Sequence, residues 1–270
     1  MTEIDGTGAR RHSRTTGFVL RCAGIGLLAG LMSGLFGVGG GTVIVPMLVL
    51  LLAYDQRLAS GTSLAAVVPA ALVGVISYAA NGQVAWIPAL ILAAGAVVGA
   101  QIGTWMLPRI PLTWLRWAFI VFLVGVMVNL FIVIPSRTAT LDLTWIAALA
   151  LILAGVATGV LSGLLGVGGG IIIVPVLMLF FGMSDLIAKG TSLLMVIPTS
   201  VSGTIGNLRR RNTDLFVAAV IGVAACITVP LGAWIARQVD PRVGNILFAA
   251  FIALIVAQLV VRLVRQRRTA

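Results

Sequence analysis

Thirteen residues, Gly34-Leu35-Phe36-Gly37-Val38-Gly39-Gly40-Gly41-Thr42-Val43-Ile44-Val45-Pro46, return 129 positions later as Gly163-Leu164-Leu165-Gly166-Val167-Gly168-Gly169-Gly170-Ile171-Ile172-Ile173-Val174-Pro175. Over the wider window Gly30–Leu50 against Gly159–Leu179, 14 of 21 positions are identical. Glycine costs about 1 kcal/mol relative to alanine at each helical position. A glycine cluster between two apolar runs therefore interrupts a helix, and it does so twice. This is the pattern of a broken helix inside a membrane.

The same offset pairs Gly61-Thr62-Ser63-Leu64 with Gly190-Thr191-Ser192-Leu193. It also pairs Pro69 with Pro198, Gly74 with Gly203, and Gly103 and Trp105 with Gly232 and Trp234. No gap is needed, and drift between unrelated apolar helices does not hold such a register. Duplication accounts for it.

Composition fixes the solvent. The chain of 270 residues is 60% hydrophobic and 9% charged, with a mean hydropathy of +1.15. Soluble domains carry about 25% charged residues. The expected fold is an all-α polytopic membrane protein: two homologous repeats of five apolar segments, inverted, with glycine-rich broken-helix hairpins. The expected division is a disordered cytoplasmic tail at 1–16, a first membrane repeat at 17–134, a linker at 135–143, a second repeat at 144–262 and a basic cytoplasmic tail at 263–270. The segments run roughly 17–35, 42–53, 62–80, 84–107 and 112–134, then 144–165, 171–183, 190–208, 215–236 and 243–261. Arg10, Arg11 and Arg14 precede an apolar run, but that run leads into the duplicated glycine stretch. It is read as part of the folded unit and not as a signal peptide.

The net charge of +11 points to topology and not to nucleic acid. With ten crossings and an inside N-terminus, 14 of the 18 Lys and Arg residues fall inside; only Arg137, Lys189, Arg237 and Arg242 fall outside. If segments two and seven only dip in and return, the division is 12 to 6. The first arrangement satisfies the positive-inside rule better. Five crossings per repeat is odd, so the repeats are inverted and both termini are cytoplasmic. Segments two and seven, at about 20 Å of helix, are short for a core of about 30 Å. Full crossing and half-helices meeting at mid-depth give the same loop sides, and both stay open.

Several residues are candidates for a site. Gly37, Gly39, Gly40 and Gly41 can adopt positive φ and leave backbone N–H groups uncovered. Successive N–H groups form an anion-binding concavity, and the helix beginning near Thr42 adds its partial positive charge. Gly166, Gly168, Gly169 and Gly170 repeat the arrangement. Close packing of a hairpin tip explains the same glycines without a ligand. Thr62, Ser63, Thr191 and Ser192 offer hydroxyls at the start of their segments, where helix capping is an equally sufficient role. Lys189 and Asn207 are secondary candidates; a solvated loop charge is the plainer account of Lys189. Gly26, Gly30 and Gly34, Gly95, Gly99 and Gly103, and Gly155, Gly159 and Gly163 recur every fourth residue, as small-residue helix packing does.

What is missing narrows the chemistry. Cys22 and Cys226 lie in apolar runs and read as buried small hydrophobes. The single histidine, His12, leaves zinc without ligands. No Gly-Lys-Ser/Thr follows the glycines, so there is no nucleotide loop and no cofactor is expected. Glu3, Asp5, Asp55, Asp142, Asp185, Asp214 and Asp240 all fall in tails or loops. A proton or sodium site built on a buried carboxylate is therefore not expected. No nucleophile–base pair is present, so an enzyme is not expected.

The paired Gly-x-Gly-Gly-Gly…Pro stretches, each followed by Gly-Thr-Ser, resemble the sulfite exporter TauE/SafE family of bacterial membrane transporters. The resemblance spans nearly all of 18–262. It implies export of a small anion such as sulfite or an organosulfonate across the inner membrane, with the lipid bilayer and the anion as the partners. A non-transporting membrane assembly or biogenesis factor is the alternative; it needs no polar path.

Overall fold

The computed structural model describes residues 15–106, 144–165 and 168–268, with single helical positions at 117, 120, 121, 123–125 and 127. The expected tail before residue 15, most of the segment 112–134, the linker 135–143 and Gly166 lie outside the described residues. Among the described residues there are nine helices. They are α1 (Thr16–Phe36), α2 (Gly41–Leu51), α3 (Gln56–Ala79), α4 (Trp86–Met106), α5 (Trp145–Leu165), α6 (Gly170–Phe180), α7 (Asp185–Arg209), α8 (Leu215–Gln238) and α9 (Pro241–Arg268).

Seven of these are long and apolar enough to cross a membrane. The other two, α2 and α6, have 11 residues each. That is about 16 Å of helix at 1.5 Å per residue, half of a hydrocarbon core. Large apolar side chains face outward along the long helices: Trp145, Ile146, Leu149 and Leu153 on α5, and Val223, Ile227, Leu231 and Trp234 on α8. In a soluble protein such a surface would be a large exposed patch; against lipid it is the ordinary one. The protein is a multi-pass membrane protein.

The first four helices of the chain and α5 to α8 begin 129 residues apart, pair by pair, as the duplicated sequence requires. Small residues set the tightest packing. Gly26, Gly30 and Gly34 of α1 lie against Ile221, Ala225 and Val229 of α8, so α1 and α8 run parallel. Gly95, Gly99 and Gly103 of α4 lie against Ile152, Val156 and Val160 of α5, again in parallel. In both pairs the nearest atom to an added methyl is a backbone carbonyl oxygen, so alanine could not replace these glycines without moving a helix.

The matched helices α3 and α7 instead run antiparallel. A Cβ on Gly74 would stand 2.8 Å from Leu193 Cδ1, and one on Gly203 would stand 2.9 Å from Leu64 Cδ1. Leu64 matches Leu193 and Gly74 matches Gly203, so the two contacts are reciprocal. The polar contacts reciprocate too. Asp214 N–H donates to Thr62 Oγ1 and Ala85 N–H donates to Thr191 Oγ1, each at 3.0 Å. These bonds define two ends. Tyr54, Thr62 and Asp214 gather at one, with Tyr54 Oη donating to Asp214 Oδ2 at 2.9 Å. Tyr78, Gln83 and Gly190 gather at the other.

Two expected helix starts need correction. Segments three and eight were expected from residues 62 and 190. The helices begin at Gln56 and Asp185, where polar first turns lower the local hydropathy without stopping the helix. Their caps are Asp55, which accepts from Arg57 N–H (2.6 Å) and Leu58 N–H (3.1 Å), and Ser184, which accepts from Ile187 N–H (3.4 Å). At the C-terminus, α9 continues through the stretch expected as a basic tail, to Arg268.

Candidate functional site

Each glycine stretch ends one helix and starts another within four residues. Gly37 closes α1 at φ 70, with its N–H on Ser33 O. Gly39 (φ 77) and Gly40 (φ 78) then turn the chain. Gly40 caps α2, and its carbonyl accepts from both Val43 and Ile44 N–H at 3.0 Å. In the second copy Gly168 (φ 81) and Gly169 (φ 78) do the same, and Gly169 O accepts from Ile172 and Ile173 N–H. Left-handed backbone costs about 1–2 kcal/mol per residue for a side chain bearing a Cβ. This is why the turn is written in glycine. Gly41 and Gly170 are the first helical residues of α2 and α6 and lie outside the left-handed set.

The two breaks touch. A Cβ on Gly170 would lie 2.5 Å from Val38 O. Gly39 and Gly168 both face Val196, at 3.0 and 3.9 Å from the position of an added Cβ. Val196 is at the middle of α7, and Val67, which also faces Gly39, is at the middle of α3. The breaks therefore lie beside the midpoints of α3 and α7 and are buried. The two short helices α2 and α6 thus each begin at a buried break, and the two breaks are in contact.

The N–H groups of Val38, Gly39, Gly40, Gly41 and Thr42 meet no acceptor among the described residues; nor do those of Gly168, Gly169, Gly170 and Ile171. Most buried N–H groups are paired, so two such rows at one place, without acceptors among the described residues, are unusual. The hydroxyl oxygens of Ser33, Thr42, Ser63 and Ser200 are also buried without a partner among the described residues. Ser200 Oγ stands 3.8 Å from the Cβ position of Gly168. Both half-helix N-termini point their partial positive charge into this region. The arrangement can hold an anion by neutral donors, with no fixed charge at its centre.

The predicted side chains divide. Thr62 and Thr191 are inside their helices, and each oxygen is occupied by an N–H of the other half. They join the two halves and do not cap helices. Ser192 Oγ donates to Gly37 O at 2.9 Å, which ties α7 to the first break. Ser63 is at the matched position, and its oxygen meets no partner among the described residues. Asn207 Nδ2 donates to Gly203 O at 2.9 Å, one helical turn back, and its Cβ packs on Gly61. Asn207 is placed away from the breaks.

Lys189 and Asp185 are the main corrections. Both were expected in solvated loops. Both are in the first two turns of α7, 5% and 4% exposed, and Lys189 Nζ lies 3.5 Å from Asp185 Oδ2. An acidic residue is thus buried in the membrane unit after all. The readable signal was Ser184 as a cap followed by Asp185 and Lys189 at i,i+4 spacing. Tyr54, outside the spans, has its hydroxyl pKa pushed above the ordinary value of 10.0, first by burial and then by Asp214.

With this geometry, the comparisons with known proteins decide the family. A family model described as sulfite exporter TauE/SafE matches residues 5–132 and 151–270. The chain belongs to the TauE/SafE family. Among its relatives is the probable membrane transporter protein YdhB of Bacillus subtilis, 29% identical over 214 residues, covering 78% of this chain and 86% of that protein. Another, YunE of the same organism, has the same description and is 25% identical over 260 residues, 87% of this chain and 95% of that protein. A probable membrane transporter protein of Methanocaldococcus jannaschii is 26% identical over 251 residues, 84% and 90% of the two chains. The two matched regions of the TauE/SafE model correspond to the two duplicated halves, and the protein is a membrane transporter of this family.

Proposed function

We propose that the protein exports a small anion, with sulfite and organosulfonates as first candidates, across the bacterial inner membrane. The anion is held between the two breaks by the N–H groups of residues 38–42 and 168–171. The hydroxyls of Ser33, Thr42, Ser63 and Ser200 are further donors. One observation supports the reading: two buried rows of N–H groups that meet no acceptor among the described residues, one from each half, lie in contact beside the midpoints of α3 and α7. Leaving one such group unpaired costs about 1–3 kcal/mol. An anion offers the acceptors that the surrounding residues do not.

In this reading the halves are inverted repeats that bring equivalent half-helices to one site from opposite faces. The antiparallel course of α3 and α7 and their reciprocal contacts support it. Arg57, Arg209, Arg210 and Arg211 belong to the Tyr54–Asp214 end, and Lys189, Arg237 and Arg242 to the Gln83 end. By the positive-inside rule the first end is cytoplasmic. Because α1 runs parallel to α8, the N-terminus is at that end as well, and α9, starting at the far end, carries the C-terminus back to it.

An inside-negative potential drives an anion outward by about 2.3 kcal/mol per charge per 100 mV. The test is efflux from proteoliposomes under an imposed potential. Efflux of labelled sulfite that grows as the inside becomes more negative is expected. Efflux indifferent to potential contradicts potential-driven export. No flux of sulfite, sulfate, sulfoacetate or taurine contradicts the anion reading.

A further inference from the structure

The two halves agree in backbone but not in charge. Asp185 and Lys189 are matched in the first half by Gln56 and Ser60. The packing around both sets is the same: Gly190 lies against the Gln83 carbonyl and Gly61 against the Asn212 carbonyl, again 129 residues apart. Helix packing at this place therefore does not require an ion pair. Nor is a buried pair a strong source of stability, because desolvation offsets most of its attraction.

Its position is informative. A Cβ on Gly37 would stand 2.6 Å from Lys189 Cα, so Lys189 leaves the helix beside the first break. Helical side chains lean toward the N-terminus. The ammonium group accordingly points from the break toward the Gln83 end, where Asp185 begins α7. The pair is long, at 3.5 Å, against about 2.7–2.9 Å for a strong charge-assisted bond. The second carboxylate oxygen, Asp185 Oδ1, is buried and meets no donor among the described residues; Gln83 Oε1, at the same end, is in the same condition.

We propose that Asp185 and Lys189 form a charge latch at the Gln83 end of the anion path. Asp185 holds Lys189 when the site is empty. An anion moving between the break and that end takes Lys189 from Asp185, and Asp185 reclaims it as the anion leaves. This rests on the small-anion reading and adds the residue pair that makes the two ends of the path unequal.

The test is sulfite uptake into vesicles of single orientation, offered from the Gln83 face, with a thermal melt of each variant in detergent. Asp185→Asn removes the carboxylate that competes with the anion for Lys189; the KM should fall and turnover should slow because release is impeded. Lys189→Gln leaves Asp185 to repel the anion, and the KM should rise. Each change is expected to be roughly tenfold, as one charge at close range in an effective dielectric near 20 allows. Asp185→Glu keeps both charges, closes the gap to Lys189 and should raise the KM severalfold. Single variants that fold and leave the KM unchanged, or shift it in the same direction for Asp185→Asn and Lys189→Gln, overturn the latch. Should Asp185→Asn not fold, Asp185→Glu decides alone: an unchanged KM overturns it. A wild type that moves no sulfite sinks the small-anion reading itself and the latch with it.

Discussion

Gly170→Ala is the substitution that most sharply tests the contact between the breaks. Gly170 opens α6 in helical conformation, so backbone strain does not oppose alanine there. Helix propensity alone would favour alanine by up to about 1 kcal/mol. Space opposes it. The new methyl would lie 2.5, 2.7 and 2.8 Å from the O, C and Cα atoms of Val38, where ordinary contacts begin at 3.4 Å. These are backbone atoms of the other break and cannot rotate away. The breaks must separate by roughly 0.6–0.9 Å, and overpacking of this kind costs about 1–3 kcal/mol. With the propensity gain subtracted, a net loss of about 0–2 kcal/mol is expected in thermal unfolding. The larger effect is on transport, because donors from both breaks must converge on one anion, and a misplacement near 1 Å costs tenfold or more. Gly206→Ala is the control. It lies in α7 with nothing within 4 Å of the added methyl, so it should stabilise by about 0.5–1 kcal/mol and leave flux intact. If Gly170→Ala melts at or above wild type and transports normally, the breaks do not meet as described.

Thr62→Val and Thr191→Val each leave one N–H of the other half unpaired, that of Asp214 or Ala85. Each should cost about 1–3 kcal/mol in thermal unfolding, and the double variant should show the sum, since the sites are at opposite ends. Gly168→Ala has room, with Ser200 Oγ 3.8 Å away, but φ is +81, so a loss of about 1–2 kcal/mol from strain is expected together with reduced flux, read by melting and efflux assays. Tyr54 has a raised pKa, so the fold favours its neutral form. Its contribution is constant below about pH 10 and is lost above it, as the unfolded chain ionises first. Tyr54→Phe should be less stable at neutral pH, by about 1.5–3 kcal/mol, and should show a shallower alkaline slope than wild type in a pH series of melts.

Much of this was legible because glycine reports directly on backbone conformation. Positive φ at Gly39, Gly40, Gly168 and Gly169 and the close helix contacts at Gly30 and Gly99 both exclude a Cβ, so the sequence carries them openly. The matched helix starts were legible for the same reason, through a register with no gaps. The starts of α3 and α7 were not, because Gln56-Arg57 and Asp185 through Lys189 depress hydropathy while an N-cap still starts the helix. The roles of Thr62 and Thr191 were hidden differently. Their partners are 152 and 106 residues away, and a local reading of a hydroxyl near an expected helix start suggests a cap. Burial of Lys189 depends on the first break lying against it, a tertiary fact with no local sign.

The central claim is that backbone N–H groups of the two breaks bind the anion together. Amide resonances of nitrogen-labelled glycine, followed as sulfite is added to the full-length protein in detergent, test it most directly. The account predicts that Gly39, Gly40, Gly41, Gly168, Gly169 and Gly170 shift together along one saturation curve, while Gly24 and Gly206 stay in place. Saturable sulfite transport with no shift at either set of break glycines would contradict it.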